Sequence, residues 1–246
     1  MLKILLSVKF ILLYDVMSFG DFMHIPDGFL DITLSVVMFA LAVLFWVPSF
    51  YKANRSINNG SIPLMAVLTA GVFAAQMLNF PIIGGTSGHL IGATLISVFL
   101  GVFPAVVSVT IILLIQGLVF GDGGLTALGA NSFNMAVVAV FVGFAFYSLI
   151  RRYLKGDRGI LAGVFVGSWL SVFAAALLCG LEIGFSSIFP YGVEVTVPAM
   201  LFWHIIIAFG EALISVAVVG VVLRTHPELV PAVQRFSVIV EPLKIV

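Results

Sequence analysis

Apolar runs recur along this chain at about the length that crosses a membrane. A helix that spans the hydrocarbon core of a bilayer takes about 20 mostly apolar residues. The block 88–120 contains no Asp, Glu, Lys or Arg and is too long for one helix; "GVFP" at 101–104 marks a break, because proline disfavours helix at the preceding residue. The predicted spans are 29–51, 62–80, two within 88–120, 131–151, 159–183 and 196–223. The pattern predicts an all-α integral membrane protein, a bundle of seven transmembrane helices.

The basic residues test that count independently. If Met23 faces outside, seven crossings place every later Lys and Arg on the inner side: Lys52, Arg55, Arg151, Arg152, Lys155, Arg158, Arg224, Arg235 and Lys244. Cytoplasmic loops of membrane proteins carry an excess of Lys and Arg, and all of these residues obey that rule. We therefore expect the amino terminus outside and the carboxyl terminus in the cytoplasm.

Composition narrows the class of protein. Apolar residues make up 62% of the chain and charged residues 9%, whereas soluble domains carry about 25% charged residues. We expect a multi-pass protein of the cell membrane, in contact with the lipid bilayer. A net charge of zero leaves no basic stripe for nucleic acid. No GxxxxGK[ST] phosphate loop occurs, so we expect a non-catalytic chain, with any ATP hydrolysis left to partner subunits.

Residues 1–22 differ from the rest of the chain. They have a basic start and an apolar middle, like a secretory signal, but Phe22 and Gly20 occupy positions where a signal peptidase requires small residues. An in-frame methionine at 23 offers a simpler account, in which the prefix is a start-site misannotation. We expect 23–246 to form a single transmembrane metal-binding domain. An uncleaved prefix, crossing as an eighth span, stays open as the alternative.

A free amine at Met23 followed by His24 presents three nitrogens in tandem. The Met23 amine, the deprotonated His24 amide and His24 Nδ1 close a five-membered and then a six-membered chelate ring, which leaves one corner of a square open. One further imidazole completes a geometry typical of Ni(II) or Cu(II). His89 is the candidate fourth ligand, because the predicted topology puts it on the same outer side. Pro26 and Gly28 favour a turn that folds the terminus back into the bundle.

Other polar and small residues are weaker candidates. Asp27 is expected to cap or hydrogen-bond the terminal loop, Ser87 to cap a helix that starts at His89, and Asp122 either to draw cations to the mouth or to lie in a solvated turn. Gln116, Asn131 and Asn134 could orient a ligand imidazole or satisfy helix ends. Small residues four apart on 69–76 suggest a helix–helix contact, with a partner or within the protein. They are Ala70, Gly71, Ala74 and Ala75. His204 and Glu211, seven apart, are expected to form a structural polar pair.

Three separated motifs, "MHIPDGFL", "GGTSGHLIGA" and "FGDGGLTALGAN", resemble the CbiM/NikM family, the substrate-binding membrane (S) component of cobalt/nickel energy-coupling-factor (ECF) importers. The resemblance implies a metal bound by Met23, His24 and His89, with Co(II) or Ni(II) as transported substrate and no permanent cofactor. It also implies partners: a transmembrane coupling (T) subunit, two ATP-binding cassette subunits and a small accessory membrane subunit. Some relatives carry the accessory part fused, which we expect to be absent here.

Several functions remain open at this stage. We favour capture of Co(II) or Ni(II), with a weak preference for cobalt and cobalamin biosynthesis, over a nickel-specific subunit of the same importer. A stand-alone ion-gradient-driven transporter normally needs several membrane acids, and only Glu211 lies deep in a predicted span. An intramembrane metalloenzyme is disfavoured because no HExxH motif occurs. The single Cys179 excludes an internal disulfide and a Cys-cluster metal site.

Overall fold

Helices form nearly all of the protein. The computed structural model describes residues 24–57, 60–78, 80–82 and 86–231, and the side chains of these residues except 80–82 and 86–88. In this part of the chain the helices are α1 (Ile32–Ser56), α2 (Ser61–Gln76), α3 (Ala93–Leu100), α4 (Val102–Phe120), α5 (Leu128–Tyr153), α6 (Gly156–Phe185) and α7 (Val193–Thr225). A short 3₁₀ helix follows at Pro227–Leu229. The predicted helical class is confirmed.

The helices differ in whether they can cross a bilayer. Five of those described (α1, α4, α5, α6 and α7) are long and apolar enough to do so, which confirms a multi-pass membrane protein. At about 1.5 Å per residue, the 16 residues of α2 span about 24 Å and the 8 residues of α3 about 12 Å. Because hydrocarbon is about 30 Å thick, α3 alone does not reach across. The count of seven crossings and the sidedness of the termini stay predictions.

The break between α3 and α4 falls at Gly101. This residue has a φ of +83°, a left-handed conformation that side chains disfavour, so one helix cannot continue through it. Pro104 lies in the first turn of α4, where a missing backbone N–H is not needed by the helix. The predicted division of 88–120 into two helices is confirmed.

A small β-hairpin precedes α3. The strands β1 (Phe80–Ile82) and β2 (Thr86–Gly88) pair antiparallel, with Phe80 opposite Gly88 and Ile82 opposite Thr86. The predicted spans place these residues between two helices, and no strand was predicted here. The ladder satisfies backbone groups that an irregular loop would leave to water. An irregular stretch, 89–92, follows the hairpin and carries His89, so the helix predicted to start at His89 begins instead at Ala93.

Close backbone approach brings α3 into the centre of the bundle. A Cβ atom on Gly143 of α5 would overlap the Thr94 hydroxyl, and one on Gly167 of α6 would lie 2.5 Å from the Gly143 carbonyl oxygen. Helix association in membranes relies on small residues of this kind. Residues 93–99 are therefore all buried. By contrast, α1 and α7 expose apolar side chains such as Leu44 and Ile206, as lipid contact requires.

Candidate metal centre

The segment before α1, residues 24–31, is called the strap here, and Asn131 at the start of α5 holds its backbone. The Ile25 amide donates to Asn131 Oδ1 (2.9 Å), and Asn131 Nδ2 donates to the Ile25 carbonyl (3.0 Å). The Gly124 amide donates to the same carbonyl (2.9 Å). Asn131 and Ile25 are both buried. The backbone next to His24 is thus fixed inside one end of the bundle.

A turn at Asp27 and Gly28 reverses the strap, and Gly28 takes a φ of +87° there. Asp27 Oδ1 accepts hydrogen bonds from the Thr126 amide (2.8 Å) and hydroxyl (2.5 Å). Burial raises the pKa of Asp27, but hydrogen bonds from Thr126 and Leu125 outweigh it and leave the pKa below its usual range. The turn predicted from Pro26 and Gly28 is confirmed.

Asp31 ties the other end of the strap to the loop that follows α6. Its Oδ1 accepts from the Leu34 amide (2.9 Å), which caps α1, and its Oδ2 accepts from the amide and hydroxyl of Ser187 (2.9 and 3.0 Å). The amide bonds from Leu34 and Ser187 hold the pKa of the Asp31 carboxyl below its usual range. Asp31 is not among the residues predicted from the sequence, although an Asp just before an apolar run is a signal for a helix start.

Two glycines let the loop 121–127 lie against the strap. A Cβ atom on Gly123, whose φ is +90°, would sit 2.8 Å from His24 Cβ and 3.4 Å from Asn131 Nδ2. One on Gly124 would overlap the Asp27 amide nitrogen. The glycines of "GDGG" are therefore needed for close approach to the strap, beyond any need of the turn itself.

The structure brings the imidazoles of His24 and His89 together. Their ring centroids lie 5.2 Å apart at an interplanar angle of 44°, and the residues are 7% and 9% exposed. His89 Nδ1 lies 3.1 Å from the Leu90 carbonyl oxygen. Since a carbonyl oxygen only accepts, this contact places the proton on Nδ1, so Nε2 carries the lone pair that a metal would bind.

His24 is oriented by an acid. Its Nδ1 lies 3.3 Å from Asp122 Oδ1 in the loop 121–127, and its Nε2 is buried without a hydrogen-bond partner among the described residues. A buried nitrogen with no partner is costly. Two converging, water-shielded imidazoles beside a carboxylate suit a borderline divalent cation.

The irregular stretch 89–92, which carries His89, is held by side chains from three helices. Glu211 of α7 accepts from the Ile91 amide at Oε2 (2.6 Å) and from the Gly92 amide at Oε1 (2.9 Å). Gln76 Nε2 of α2 donates to the Ile91 carbonyl (2.8 Å), and Gln116 Nε2 donates to Gln76 Oε1 (3.0 Å). Gln116 therefore supports the ligand segment through Gln76.

Some predicted roles change. The expectation that His204 and Glu211 form a polar pair is wrong, because His204 Nδ1 lies 2.8 Å from the Met200 carbonyl of its own helix while Glu211 binds the stretch after His89. Asn134 Nδ2 donates to Glu182 Oε2 (2.7 Å) and not to a ligand imidazole. The reason is rotational: helix spacing shows which residues share a face but not which neighbour that face meets.

Met23 and the prefix 1–22 lie outside the described residues, as does the side chain of Ser87. The described part contains no group of three or more His, Cys, Asp or Glu side chains able to hold a metal. Gln76 was not predicted from the sequence. A glutamine inside an apolar helix could have marked it as a candidate. The small residues of α2 face outward, with Ala70, Gly71 and Ala74 exposed and Ala75 half-buried.

Comparison with known proteins identifies similar chains. The model of the CbiM family, described as "Cobalt uptake substrate-specific transmembrane region", matches residues 24–229. A "Fused nickel transport protein NikMN" from Rhodobacter capsulatus is 40% identical over 222 residues, which is 84% of this chain and 63% of that protein. A "Cobalt transport protein CbiM" from Lachnoclostridium phytofermentans is 31% identical over 168 residues, 66% of each chain. This chain thus spans somewhat under two thirds of these two relatives.

A solved structure shares the fold. The "Crystal Structure of an Truncated Transition metal Transporter" superposes with a TM-score of 0.78 and 40% sequence identity, covering 83% of this chain and all of that chain. A second, titled "Crystal Structure of an transition metal transporter", gives a TM-score of 0.77 at 39% identity and covers 82% of this chain and 93% of that one. The bundle is therefore a transporter fold.

Proposed function

Because this chain belongs to the CbiM family and is a cobalt/nickel transport component of the cell membrane, we propose that it captures one Co(II) or Ni(II) ion with high affinity at the outer face, as the substrate-binding subunit of an ATP-driven ECF importer. The observation that carries the proposal is the pair of buried imidazoles, 5.2 Å apart, contributed by segments 65 positions apart in sequence. The metal is the transported substrate, and the chain itself is not an enzyme.

The separation of the imidazoles is close to what one metal requires. With metal–nitrogen distances of about 2.0 Å, two imidazoles on one ion have ring centroids roughly 4.5 Å apart in adjacent positions and roughly 6 Å apart in opposite positions. The separation here, 5.2 Å, lies between these limits. Small rotations of the two rings therefore suffice for both to bind the same ion.

The proposed ligands are the Met23 amine, the His24 amide nitrogen, His24 Nδ1 and His89 Nε2. Binding through Nδ1 must break the 3.3 Å contact with Asp122, because one nitrogen cannot hold a proton for a carboxylate and bind a metal. Rotation of the ring about its Cβ–Cγ bond does this without moving the strap backbone. The Asp122 carboxylate then supplies negative charge beside the incoming cation.

A protein that begins at Met23 tests the terminal site. One added residue ahead of Met23 turns the amine into an amide and removes a ligand, and His89→Ala removes another. Loss of a ligand should cost at least what loss of its outer hydrogen-bond partner costs, about 10- to 100-fold in metal affinity. Calorimetry with Ni(II) should show such losses for both changes. Unchanged affinity in the extended protein would exclude the amine, and unchanged affinity in His89→Ala would exclude the fourth ligand.

Metal identity is a separate question. The relatives named above carry both nickel and cobalt names, and the affinity ordering of nitrogen sites favours nickel while cellular supply decides in practice. The preference for cobalt expected from the sequence remains a prediction. Competition between Co(II) and Ni(II) in uptake by intact cells measures it directly, and stronger uptake of nickel at equal concentrations would contradict it.

The proposed partners are a T subunit, two ATP-binding cassette subunits and a small accessory membrane subunit. The exposed small residues of α2 support this surface as the T-subunit contact, because they allow close helix approach and face away from the bundle. A Cβ atom on Gly71 meets nothing within 4 Å, so Gly71→Leu should spare the fold. We expect it to lower ATP-driven uptake while leaving metal binding intact. The matched control is Val67→Leu, on the same helix and also exposed; equal uptake by both variants would place the contact elsewhere.

A further inference from the structure

We propose that Glu211 positions His89 for metal binding, by holding the backbone two and three residues beyond it. This inference rests on the proposed function, since it assumes that His89 is a metal ligand. It assigns to an acid of α7 a role in the metal centre although Glu211 itself is 120 positions from Ile91 in sequence. Glu211 acts on this segment through the peptide groups of Ile91 and Gly92.

The contact is bidentate. Glu211 is 2% exposed, and each of its carboxylate oxygens accepts one backbone N–H, from Ile91 at 2.6 Å and from Gly92 at 2.9 Å. One N–H donor on each oxygen matches a carboxylate, in which both oxygens accept. Two such bonds from adjacent peptides fix the direction of the chain as well as its position. A carboxylate at this place therefore determines where His89 leaves the backbone.

The local backbone needs an outside partner. Residues 89–92 are neither helix nor strand, and Gly92 has a φ of +72°. Inside a bundle that crosses a membrane, peptide groups outside regular structure must be satisfied by side chains. Glu211 supplies the acceptor for the Ile91 N–H, and Gln76 supplies the donor for the Ile91 carbonyl. Side chains of three helices thus hold the backbone at Ile91. Glu211 of α7 and Gln76 of α2 bond to it directly, and Gln116 of α4 bonds to Gln76.

The chemistry favours glutamate over glutamine at this position. Two N–H donors converge on one side chain, and only a carboxylate offers two acceptor oxygens. In Glu211→Gln the amide NH₂ faces one of the two backbone N–H groups, so one hydrogen bond is lost and two donors oppose each other. The side chain keeps its size, so packing in α7 is preserved. The variant therefore changes the grip on the His89 segment with little change in volume.

A double-mutant cycle in the protein that begins at Met23 tests the inference. We expect Glu211→Gln to weaken Ni(II) binding by about tenfold, within the range for loss of an outer partner of a metal ligand. The visible absorption of bound Ni(II) should shift toward that of His89→Ala, because the fourth nitrogen is displaced. In the His89→Ala background Glu211→Gln should change affinity by less than about twofold, since coupled residues are not additive. A general loss of structure would be additive.

The matched control is His204→Gln, seven residues away on α7, whose imidazole contacts only a carbonyl of its own helix among the contacts described. It should leave both affinity and absorption unchanged. If Glu211→Gln is not recovered folded, Glu211→Asp replaces it in the same cycle, because it keeps both oxygens but draws the segment toward α7. The same non-additivity is expected.

The outcomes separate the two ideas. If His89→Ala weakens binding but the Glu211 variant does not, or if the two losses multiply, the inference about Glu211 is wrong and the metal site stands. If His89→Ala itself binds Ni(II) as tightly as the unchanged protein, the proposed ligand set fails. A Glu211 loss that disappears in the His89→Ala background supports both.

Discussion

Asn131 should control how firmly the strap is docked, and Asn131→Leu isolates that contribution. The substitution removes two buried hydrogen bonds to Ile25, at 2.9 and 3.0 Å. The Ile25 carbonyl keeps its bond from the Gly124 amide, so the Ile25 amide alone loses its partner. Leucine has a similar volume and suits a membrane bundle, and the rest of the fold should therefore persist.

The expected size of the effect follows from these contacts. The lost bond to the Ile25 carbonyl is worth about 1 kcal/mol and the buried Ile25 amide left without a partner costs about 1 to 3 kcal/mol, so docking of the strap should weaken by about 2 to 4 kcal/mol. That corresponds to about a 30- to 900-fold shift toward the undocked strap, at 1.36 kcal/mol per tenfold change. Since His24 is adjacent to Ile25, metal affinity should fall in the same direction.

Hydrogen–deuterium exchange of the peptide 24–31, followed by mass spectrometry without metal, measures this directly. Exchange should accelerate in Asn131→Leu, because amides that the docked strap protects open more often. The matched control is Asn134→Leu, three residues along α5, because Asn134 donates to Glu182 and not to the strap. Strap exchange within twofold of the unchanged protein in Asn131→Leu, at an unchanged melting temperature, would refute the reasoning.

Three further predictions follow from the same contacts. Gly123→Ala should lower Ni(II) affinity by about tenfold, because the new Cβ meets His24 Cβ at 2.8 Å and a φ of +90° costs a side chain about 1 to 2 kcal/mol; calorimetry checks it, and unchanged affinity contradicts it. Glu182→Gln should stabilise the protein in detergent by about 1 kcal/mol. One buried oxygen of Glu182 and one of Asn134 lack hydrogen-bond partners among the described residues, and a glutamine facing Asn134 lets the two amides pair. A lower melting temperature of the variant would argue against this. The pKa of Asp31 is lower in the folded protein than in the unfolded chain, where it is about 3.9. The stabilising effect of the carboxylate is therefore present above the unfolded pKa and is lost as pH falls through the lower folded value. In acid denaturation, the free energy of unfolding of Asp31→Asn should therefore fall less steeply below a pH of about 4 than that of the unchanged protein.

Much of the bundle could be predicted from the chain alone, because the ability of a segment to cross a membrane depends on its own length and composition. A run of about 20 apolar residues is enough whatever its neighbours are, and five such helices are present in the described part. The break at Gly101 was predictable for the same reason, since glycine and proline act on their own backbone. The short α3 was not, because its length depends on the hairpin before it and on the helices that enclose it.

The candidate site divides in the same way. The sequence alone shows that His24 could chelate a metal together with the preceding backbone nitrogens, because these atoms are close along the covalent chain. It also favours a turn at Asp27 and Gly28, because both residue types prefer turns. The sequence could also mark Glu211 as unusual, because an acid inside an apolar span is costly. It could not show what Glu211 binds.

The tertiary structure alone decided the partners of the buried polar groups. The helices α2, α4 and α7 are apolar on nearly every face, so periodicity does not show which side turns inward. Close packing with other parts of the chain fixes this rotation, as where Gly180 of α6 lies against Val197 of α7 and Gly92 lies against Val72 of α2. That rotation places Gln76 and Glu211 on either side of the Ile91 peptide and His89 beside His24. The chemistry of each side chain can be read from the sequence, whereas the partner that it contacts depends on how the whole bundle packs.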